Sequence, residues 1–272
     1  MSNNIETISN TIKNISIDIQ NKIFQQYNNE KDEQILSNCD SIVNNIAKQN
    51  SNIKAIVSSY SQDMVTINID GKYIMTYNPI DNLNLLSLSF SVGSIFTVYE
   101  NEISKDTIVY CAYATYGPTF QFVSAVPDTK VEFLSYKDGN FIHNTDIVLS
   151  EKGKINSTAG DVTTFSSSHK ELMKNFFDEG YRLRYSGSLS LDTHQILFKK
   201  GGLYSSPITT KDTNGTHTLA FELYCISTIV ELCGGKSIDG MKRILDIETK
   251  DISLKSPVYF GSTYEINKIK TS

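Results

Sequence analysis

The spacing of apolar residues along the chain changes from a helical to a strand-like period within the first third. Isoleucines recur every three or four positions, which predicts an amphipathic helix up to about Tyr27. The polar residues 28–32 interrupt this pattern, and a second helix is predicted from Glu33 to about Gln49. From Ile53 the period becomes two, so strands are predicted as far as about Phe141.

Seven strands are predicted in this region by alternating apolar and polar residues. They are Lys54–Ser58, Met64–Ile67, Lys72–Tyr77, Leu85–Tyr99, Thr107–Thr115, Thr119–Val126 and Val131–Ser135. In the longest of them, Leu86, Leu88 and Phe90 alternate with serines. The pair Asp138-Gly139 predicts a hairpin turn after the last strand, because glycine accepts the positive φ that such a turn needs.

The second half of the chain has a mixed pattern, with three predicted helices that each precede a glycine. These helices are His169–Asp178, Ser190–Lys200 and Thr218–Cys233, and two short closing strands are predicted at Leu245–Ile247 and Val258–Phe260. The pattern as a whole predicts two layered α+β halves, residues 1–140 and 141–272, packed against each other.

Composition narrows the classes of function. The chain has 272 residues, 39% of them apolar, and a formal charge of −5, which argues against general nucleic-acid binding because that needs a basic surface. No apolar run approaches about 18 residues, so no membrane span is expected. The polar N-terminus and four cysteines without CxxC spacing favour a reducing compartment, and we expect the cytoplasm.

Candidate chemistry centres on the loop that leaves the predicted strand Lys72–Tyr77. Asp81 lies there, but the residue three positions earlier is Asn78, and one carboxylate with one amide makes a poor site for a divalent cation. Glu222 lies on an otherwise apolar helix face, where a carboxylate is costly to bury without a partner. Each has an ordinary alternative: Asp81 as a turn residue, and Glu222 as a carboxylate paired with another side chain.

Several segments resemble the class 1 fructose-1,6-bisphosphatases, and the resemblance covers nearly the whole chain. Arg184–Asp192 resembles the family segment R-Y-x-G-S-x-x-x-D, and Asn78–Asp81 resembles the start of D-P-L-D-G-S-S. Gly201-Gly202, Gly234-Gly235 and Gly261-Ser262 fall at the family's spacing. The resemblance implies an α+β fold of alternating helix and sheet layers, magnesium-dependent hydrolysis of a sugar bisphosphate, and a homo-oligomer, either a dimer or a tetramer.

The same resemblance implies that the metal site is depleted. Asp81 and Glu222 match two of the family's five acidic magnesium ligands, whereas the other three positions carry Ser59, Tyr60 and Asn78. The family's water-activating aspartates align near Asn29 and Ile35, which cannot accept a proton in that role. The resemblance therefore leaves Asp81 and Glu222 as the two candidate ligands for magnesium.

The resemblance also implies a partial pocket for the distal phosphate. Asn156, Arg184 and Tyr185 match family residues that contact this phosphate, and the arginine reaches there from a neighbouring subunit. The family's pocket tyrosines and lysine align with smaller residues, which are Ala159, Ser206 and Thr216. Lys72 and Tyr73 match two residues of its regulatory nucleotide site, most of which is missing.

Three functions follow as hypotheses. The first is a catalytically impaired or inactive member of the family with a binding or regulatory role. The second is a sugar-bisphosphatase of low or altered activity that uses Asp81 and Glu222 with one magnesium ion. The third is a purely structural subunit of an oligomer that binds no sugar phosphate.

Overall fold

The computed structural model describes residues 2–26 and 31–269, which form helices and strands in alternating layers. The helices are α1 (Asn3–Gln26), α2 (Asp32–Ala47), α3 (Ser167–Asp178), α4 (Leu189–Phe198), α5 (Tyr224–Leu232) and α6 (Thr263–Asn267). Asn29 falls outside the described residues. The structure confirms the two N-terminal helices and the helix at 167–178, which the helical spacing of apolar residues predicted.

An eight-stranded sheet follows α2. Its strands are β1 (Ile53–Ser58), β2 (Met64–Thr66), β3 (Tyr73–Asp81), β4 (Val92–Glu100), β5 (Ile108–Tyr116), β6 (Phe120–Ala125), β7 (Glu132–Lys137) and β8 (Asn140–His143). They are arranged in the order β2-β1-β3-β4-β5-β6-β7-β8, and only the β1–β3 pair is parallel. The predicted turn at Asp138-Gly139 joins β7 to β8, with φ of 51° and 81°.

The second half contains a five-stranded sheet and a two-stranded ribbon. The strands are β9 (Ile155–Thr158), β10 (Arg182–Leu183), β11 (Leu203–Ser206), β12 (His217–Thr218), β13 (Lys236–Ile238), β14 (Lys255–Ser256) and β15 (Val258–Gly261). The sheet has the order β10-β9-β11-β15-β13, and β12 pairs with β14. The boundary between halves at residue 140 stays a prediction; β8 lies across it.

Four apolar clusters fill the spaces between the layers, and the smallest consists of Ala55, Val57, Ile74 and Phe221. The first lies between the helices α1 and α2 and one face of the large sheet, where Phe96 and Tyr110 are buried. The second lies between the other face of that sheet, the helices α4 and α5, and the small sheet. The third packs α3 and α6 against the far side of the small sheet. Consecutive residues of β5, such as Tyr110 and Cys111, therefore enter different clusters, because successive side chains of a strand point to opposite faces of the sheet.

The predicted strand Leu85–Tyr99 is wrong over its first half. Residues Leu83–Leu85 form a 3₁₀ turn, further turns follow, and β4 begins only at Val92. Leu86 is buried, but Leu88 and Phe90 are each 61% exposed. The segment coils because the amides of Leu88 and Phe90 both donate to the Leu85 carbonyl, so local turns replace the cross-strand ladder.

Two predictions near the C-terminus also need correction. The predicted helix Thr218–Cys233 begins instead with the strand β12, continues as a π-helical turn at Leu219–Leu223 and becomes α5 at Tyr224. The predicted strand Leu245–Ile247 is a 3₁₀ turn at Ile244–Asp246. The last predicted strand is confirmed as β15.

Candidate functional site

Asp81, at the end of β3, binds the N-terminus of α4 in the other half of the molecule. Its Oδ2 accepts hydrogen bonds from Ser188 Oγ (2.7 Å), Ser190 Oγ (2.8 Å) and the Ser190 backbone amide (2.7 Å). Ser188 is also the N-cap residue of α4, and the free amides at a helix N-terminus attract a negative charge. The carboxylate therefore stabilises the start of the helix and joins the two halves.

The charge state of Asp81 reflects its burial, since only 5% of the residue is exposed. Burial raises the pKa of Asp81, the nearby charge of Glu222 raises it further, and the serine donors oppose both effects. The influence of Glu222 shows that the two acidic residues selected from the sequence lie close enough to interact electrostatically.

Glu222 lies in the π-helical turn between β12 and α5. The Ala220 carbonyl of this wider turn accepts hydrogen bonds from outside the helix, since Thr76 Oγ1 and Tyr99 OH each donate to it at 2.7 Å. Both donors belong to the large sheet. That sheet therefore determines where the turn, and with it Glu222, is placed.

Both oxygens of Glu222 are held by residues of the same segment. Oε2 accepts from the Thr218 amide (2.8 Å) and from Thr218 Oγ1 (2.9 Å), and Oε1 lies 3.5 Å from His217 Nδ1. Burial by itself would raise the pKa of Glu222, but the hydrogen bond and charge of His217, together with Thr218, lower it. Burial lowers the pKa of His217, but the hydrogen bond and negative charge of Glu222 outweigh this effect and raise it. Glu222 therefore remains ionised in its buried position.

His217 and Tyr204 also belong to this site, although no sequence pattern indicated either of them. Tyr204 OH lies 2.8 Å from His217 Nε2, and the tyrosine ring is 1% exposed and stacks on Phe260. The five-residue spacing of His217 and Glu222 carries no helical signal. Only the strand-to-π-turn geometry brings the two side chains together.

The three positions that lack acidic side chains are described by the structure. Ser59 follows β1, where its amide donates to the Tyr77 carbonyl, and Tyr60 is 60% exposed. Asn78 lies in β3 beside a register shift, three residues before Asp81. Ile35 is fully buried in the cluster under α2 and offers no polar atom to a site.

Asp40 is an acidic residue near this edge that the sequence analysis did not select. It lies on α2, and its Oδ1 accepts a hydrogen bond from Ser58 Oγ (2.8 Å) at the end of β1. Burial raises the pKa of Asp40, although Ser58 and Tyr77 oppose the rise. The available signal was its position directly after the buried Cys39, on the edge of the apolar face of the helix.

The three residues predicted to contact a distal phosphate have different surroundings within this chain. Asn156 is fully buried in β9, and its Nδ2 is directed to Met173 Sδ (3.0 Å). Arg184 is exposed, with its amide bonded to the Asn156 carbonyl (2.9 Å). Tyr185 is 48% exposed, and burial of its ring, followed by the charges of Asp192 and Asp81, raises its pKa.

The positions aligned with the family's pocket tyrosine and lysine contact each other. Ser206 Oγ and Thr216 Oγ1 are 2.8 Å apart, so one of these two hydroxyls donates a hydrogen bond to the other. Lys72, from the nucleotide-site match, forms an ion pair with Glu100. Among the described residues, these positions are therefore occupied by internal contacts.

A cavity of about 870 Å³ lies between the end of α1, the turns at residues 86–91 and Tyr185. Its aromatic lining comes from Phe24, Phe90, Tyr116 and Tyr185, and the described lining includes no acidic or basic side chain. A phosphate group needs positive charge or several N–H donors. This cavity therefore does not have the chemistry of a phosphate site.

Solved structures show the same fold. A fructose-1,6-bisphosphatase from Leishmania major in its holo form is 22% identical, with a TM-score of 0.91 over 97% of this chain and 92% of that one. A structure described as a putative sedoheptulose-1,7 bisphosphatase from Toxoplasma gondii is 23% identical, with a TM-score of 0.80 over 87% and 81%. The layered fold is that of the sugar bisphosphatases, which confirms the predicted fold class.

Sequence relatives specify the family. The family model "Fructose-1-6-bisphosphatase, C-terminal domain" matches residues 149–272. "Fructose-1,6-bisphosphatase class 1" from Campylobacter hominis is 38% identical over 85% of this chain and 82% of its own length. The protein of that name from Campylobacter concisus is 35% identical over 97% and 96%. The chain belongs to the class 1 fructose-1,6-bisphosphatase family, as the sequence motifs predicted.

The arrangement of Asp81 and Glu222 does not fit a magnesium ion. Magnesium takes six oxygens in a near-octahedral shell, but of the four carboxylate oxygens only Asp81 Oδ1 accepts no hydrogen bond from the described part of the chain. Within residues 2–26 and 31–269, no three His, Cys, Asp or Glu side chains gather where a metal could be held.

In the same ranges no helix has the length and apolarity needed to cross a membrane.

Proposed function

We propose that this family member is catalytically impaired and acts by binding rather than by hydrolysis, with the cytoplasm as its location. The observation that carries the proposal is that both surviving acidic side chains, Asp81 and Glu222, are engaged by protein donors. Hydrolysis of a phosphate ester in this family depends on metal ions that neutralise phosphate oxygens and activate water. Each of these hydrogen bonds occupies an acceptor site of the carboxylate that a metal ion would otherwise use.

The loss of rate expected from the replaced residues supports impaired catalysis. Loss of a positioned general base costs about 10²–10⁴-fold in rate, and Ile35, at one of the two aligned positions, is buried in the core. Replacement of acidic side chains at Ser59, Tyr60 and Asn78 adds the loss of metal ligands. The alternative, a slow sugar-bisphosphatase with one magnesium ion on Asp81 and Glu222, would require the ion to displace these internal donors.

The ligand we propose is a sugar phosphate, recognised through exposed groups. Arg184 and Tyr185 lie at the surface, where a guanidinium can reach across to a second copy of the chain. Asn156, by contrast, would first have to leave its contact with Met173. A homo-oligomer is therefore part of the proposal. A subunit that binds no sugar phosphate remains the third candidate, since Ser206 and Thr216 are hydrogen-bonded to each other.

Phosphate release from fructose 1,6-bisphosphate, with and without magnesium, tests the proposal. We expect no magnesium-dependent turnover above a small residual rate, and turnover at a rate normal for the family would contradict impairment. Glu222→Gln should leave that residual rate unchanged, whereas a slow one-metal enzyme would lose its activity.

Thermal unfolding with and without the same sugar then tests the binding role. An increase in unfolding temperature that Arg184→Ala reduces would support recognition of the phosphate. The absence of any shift would favour the structural subunit.

A further inference from the structure

His217 is held between two partners inside the site. Its Nε2 lies 2.8 Å from Tyr204 OH, and its Nδ1 lies 3.5 Å from Glu222 Oε1. The side chains of His217 and Glu222 are 15% and 13% exposed, so little water reaches the contact. Pairing of His217 with Ser256 fixes the backbone, and the stacking of Tyr204 on Phe260 fixes the tyrosine. The imidazole is therefore positioned from both sides.

The direction of the contact with Glu222 follows from its chemistry. An ionised carboxylate can only accept, so Nδ1 carries the proton and donates it. The neutral imidazole also has such a proton when Nε2 accepts from Tyr204 OH, so the contact does not depend on the charge of the ring. Thr218 supplies both donors to the other oxygen, Oε2. Within the described part of the chain, the three hydrogen-bond donors to Glu222 therefore come from two consecutive residues.

We propose that His217 is a positioning residue that takes the place of a divalent cation on Glu222 and so keeps the site closed to metal ions. The inference rests on the proposed function, because it assigns to His217 a part in the loss of metal binding that the proposed function assumes. Of the two acidic residues, Glu222 is the one whose donor can be removed by a single substitution at His217. Asp81, by contrast, is held by the helix α4. Removal of the imidazole would leave Oε1 of Glu222 without its donor, and magnesium can bind through one or two carboxylates with water completing its shell.

The test is rescue by a metal ion in thermal unfolding, with no substrate present. The wild-type protein should unfold at the same temperature in EDTA and in about 10 mM MgCl₂ or MnCl₂, since only a ligand that binds the folded state raises the midpoint. His217→Leu should unfold several degrees lower in EDTA and recover part of that loss in MnCl₂. The double variant His217→Leu with Glu222→Gln should show no recovery, because the freed carboxylate is gone.

His194→Leu is the matched control. His194 is a mostly buried histidine whose Nδ1 also lies near a tyrosine hydroxyl, that of Tyr113 at 3.1 Å. It has no carboxylate partner in the described chain, so its removal should lower the midpoint without any recovery in manganese. Rescue of His217→Leu alone is the result that a merely structural role for His217 would not produce.

Two results would overturn the inference. One is an increase in the unfolding temperature of the wild-type protein in manganese, and the other is an unfolding temperature of His217→Leu that manganese does not change. The phosphatase assay can fail or succeed separately, because the unfolding experiment measures no turnover. Magnesium-dependent hydrolysis by a wild-type protein would reject the proposed function. A wild-type protein that neither hydrolyses the ester nor binds manganese, with an unresponsive His217→Leu, would reject only the role of His217.

Discussion

Asp81 contributes its carboxylate to the start of helix α4, where three donors converge on one oxygen. Hydrogen bonds to a charged group contribute more than neutral ones, about 1.5–3 kcal/mol each before the cost of burial is counted. That cost is high here, since burial raises the pKa of Asp81. The residue is therefore best described as an acceptor for the helix N-terminus that the structure depends on.

Replacement of Asp81 by asparagine should destabilise the protein by about 2–4 kcal/mol, because the amide would turn N–H groups or a weaker acceptor toward the three donors. The free energy of unfolding in urea measures the loss. Asp70→Asn is the control, since Asp70 is exposed. Equal stability of the Asp81→Asn variant and the wild type would mean that the contact with α4 contributes nothing.

Asp192 predicts a pH dependence of stability. Burial, opposed first by the Ser186 amide, raises the pKa of Asp192 from 3.8 to about 6. Between these values the folded state holds a proton that the unfolded state has released. The contribution is therefore complete below about pH 4 and is lost as the pH rises through 6, with a total of about 3 kcal/mol.

Urea unfolding of the wild type and of Asp192→Asn over pH 4.5–7.5 measures this contribution. The difference in unfolding free energy between the two should change in favour of the variant as the pH rises. Asp63→Asn, at an exposed position, should follow the wild type. Parallel curves for wild type and Asp192→Asn would exclude an elevated pKa.

At the scale of elements, the π-helical turn Leu219–Leu223 depends on the sheet beneath it. Thr76 and Tyr99 both donate to the Ala220 carbonyl, so either hydroxyl alone still satisfies it. Thr76→Val and Tyr99→Phe should each cost about 1 kcal/mol, and the double variant should cost more than the sum, because the buried carbonyl then loses both side-chain donors.

A double-mutant cycle by urea unfolding measures this coupling. Tyr110→Phe paired with Thr76→Val is a suitable control, since Tyr110 OH bonds to Ser9 in the other apolar cluster. Strict additivity of Thr76→Val and Tyr99→Phe would show that Ala220 does not need either donor.

The segment 83–91 shows why an alternating pattern can predict the wrong element. Leu86, Leu88 and Phe90 have the period of a strand, yet Asn82 adopts a left-handed φ of 61° and turns the chain away from the sheet. Asn82 Nδ2 also donates to the Gly187 carbonyl (2.6 Å), which ties the turn to the other half. Periodicity reports which residues could face a core but not where the chain bends.

At the scale of the whole molecule, the two halves meet where β4 faces the start of α4. A Cβ atom at Gly93 would overlap Ser190 Oγ and the Ala114 carbonyl, so the close approach that lets Asp81 reach α4 needs glycine there. Gly93→Ala should therefore cost at least about 2–3 kcal/mol, as overpacking does in a tight core.

Urea unfolding of Gly93→Ala measures that cost. Gly139→Ala serves as control, because its φ of 81° is strained for alanine but no atom lies within 4 Å of the added Cβ; a loss of about 1 kcal/mol is expected there. A Gly93→Ala variant no less stable than Gly139→Ala would mean that the halves can separate slightly without cost.

The sequence by itself determined the class of fold, the long helices, most strands and the two acidic residues Asp81 and Glu222, because apolar period and motif spacing are local properties. Only the tertiary structure showed what those acids contact. Ser188, Ser190 and His217 reach them through a helix N-terminus and a π-helical turn, and such contacts depend on how distant segments pack. Hydrogen-bond partners of buried charges are decided by the folded chain, since no pattern along the sequence records which donor will be nearest.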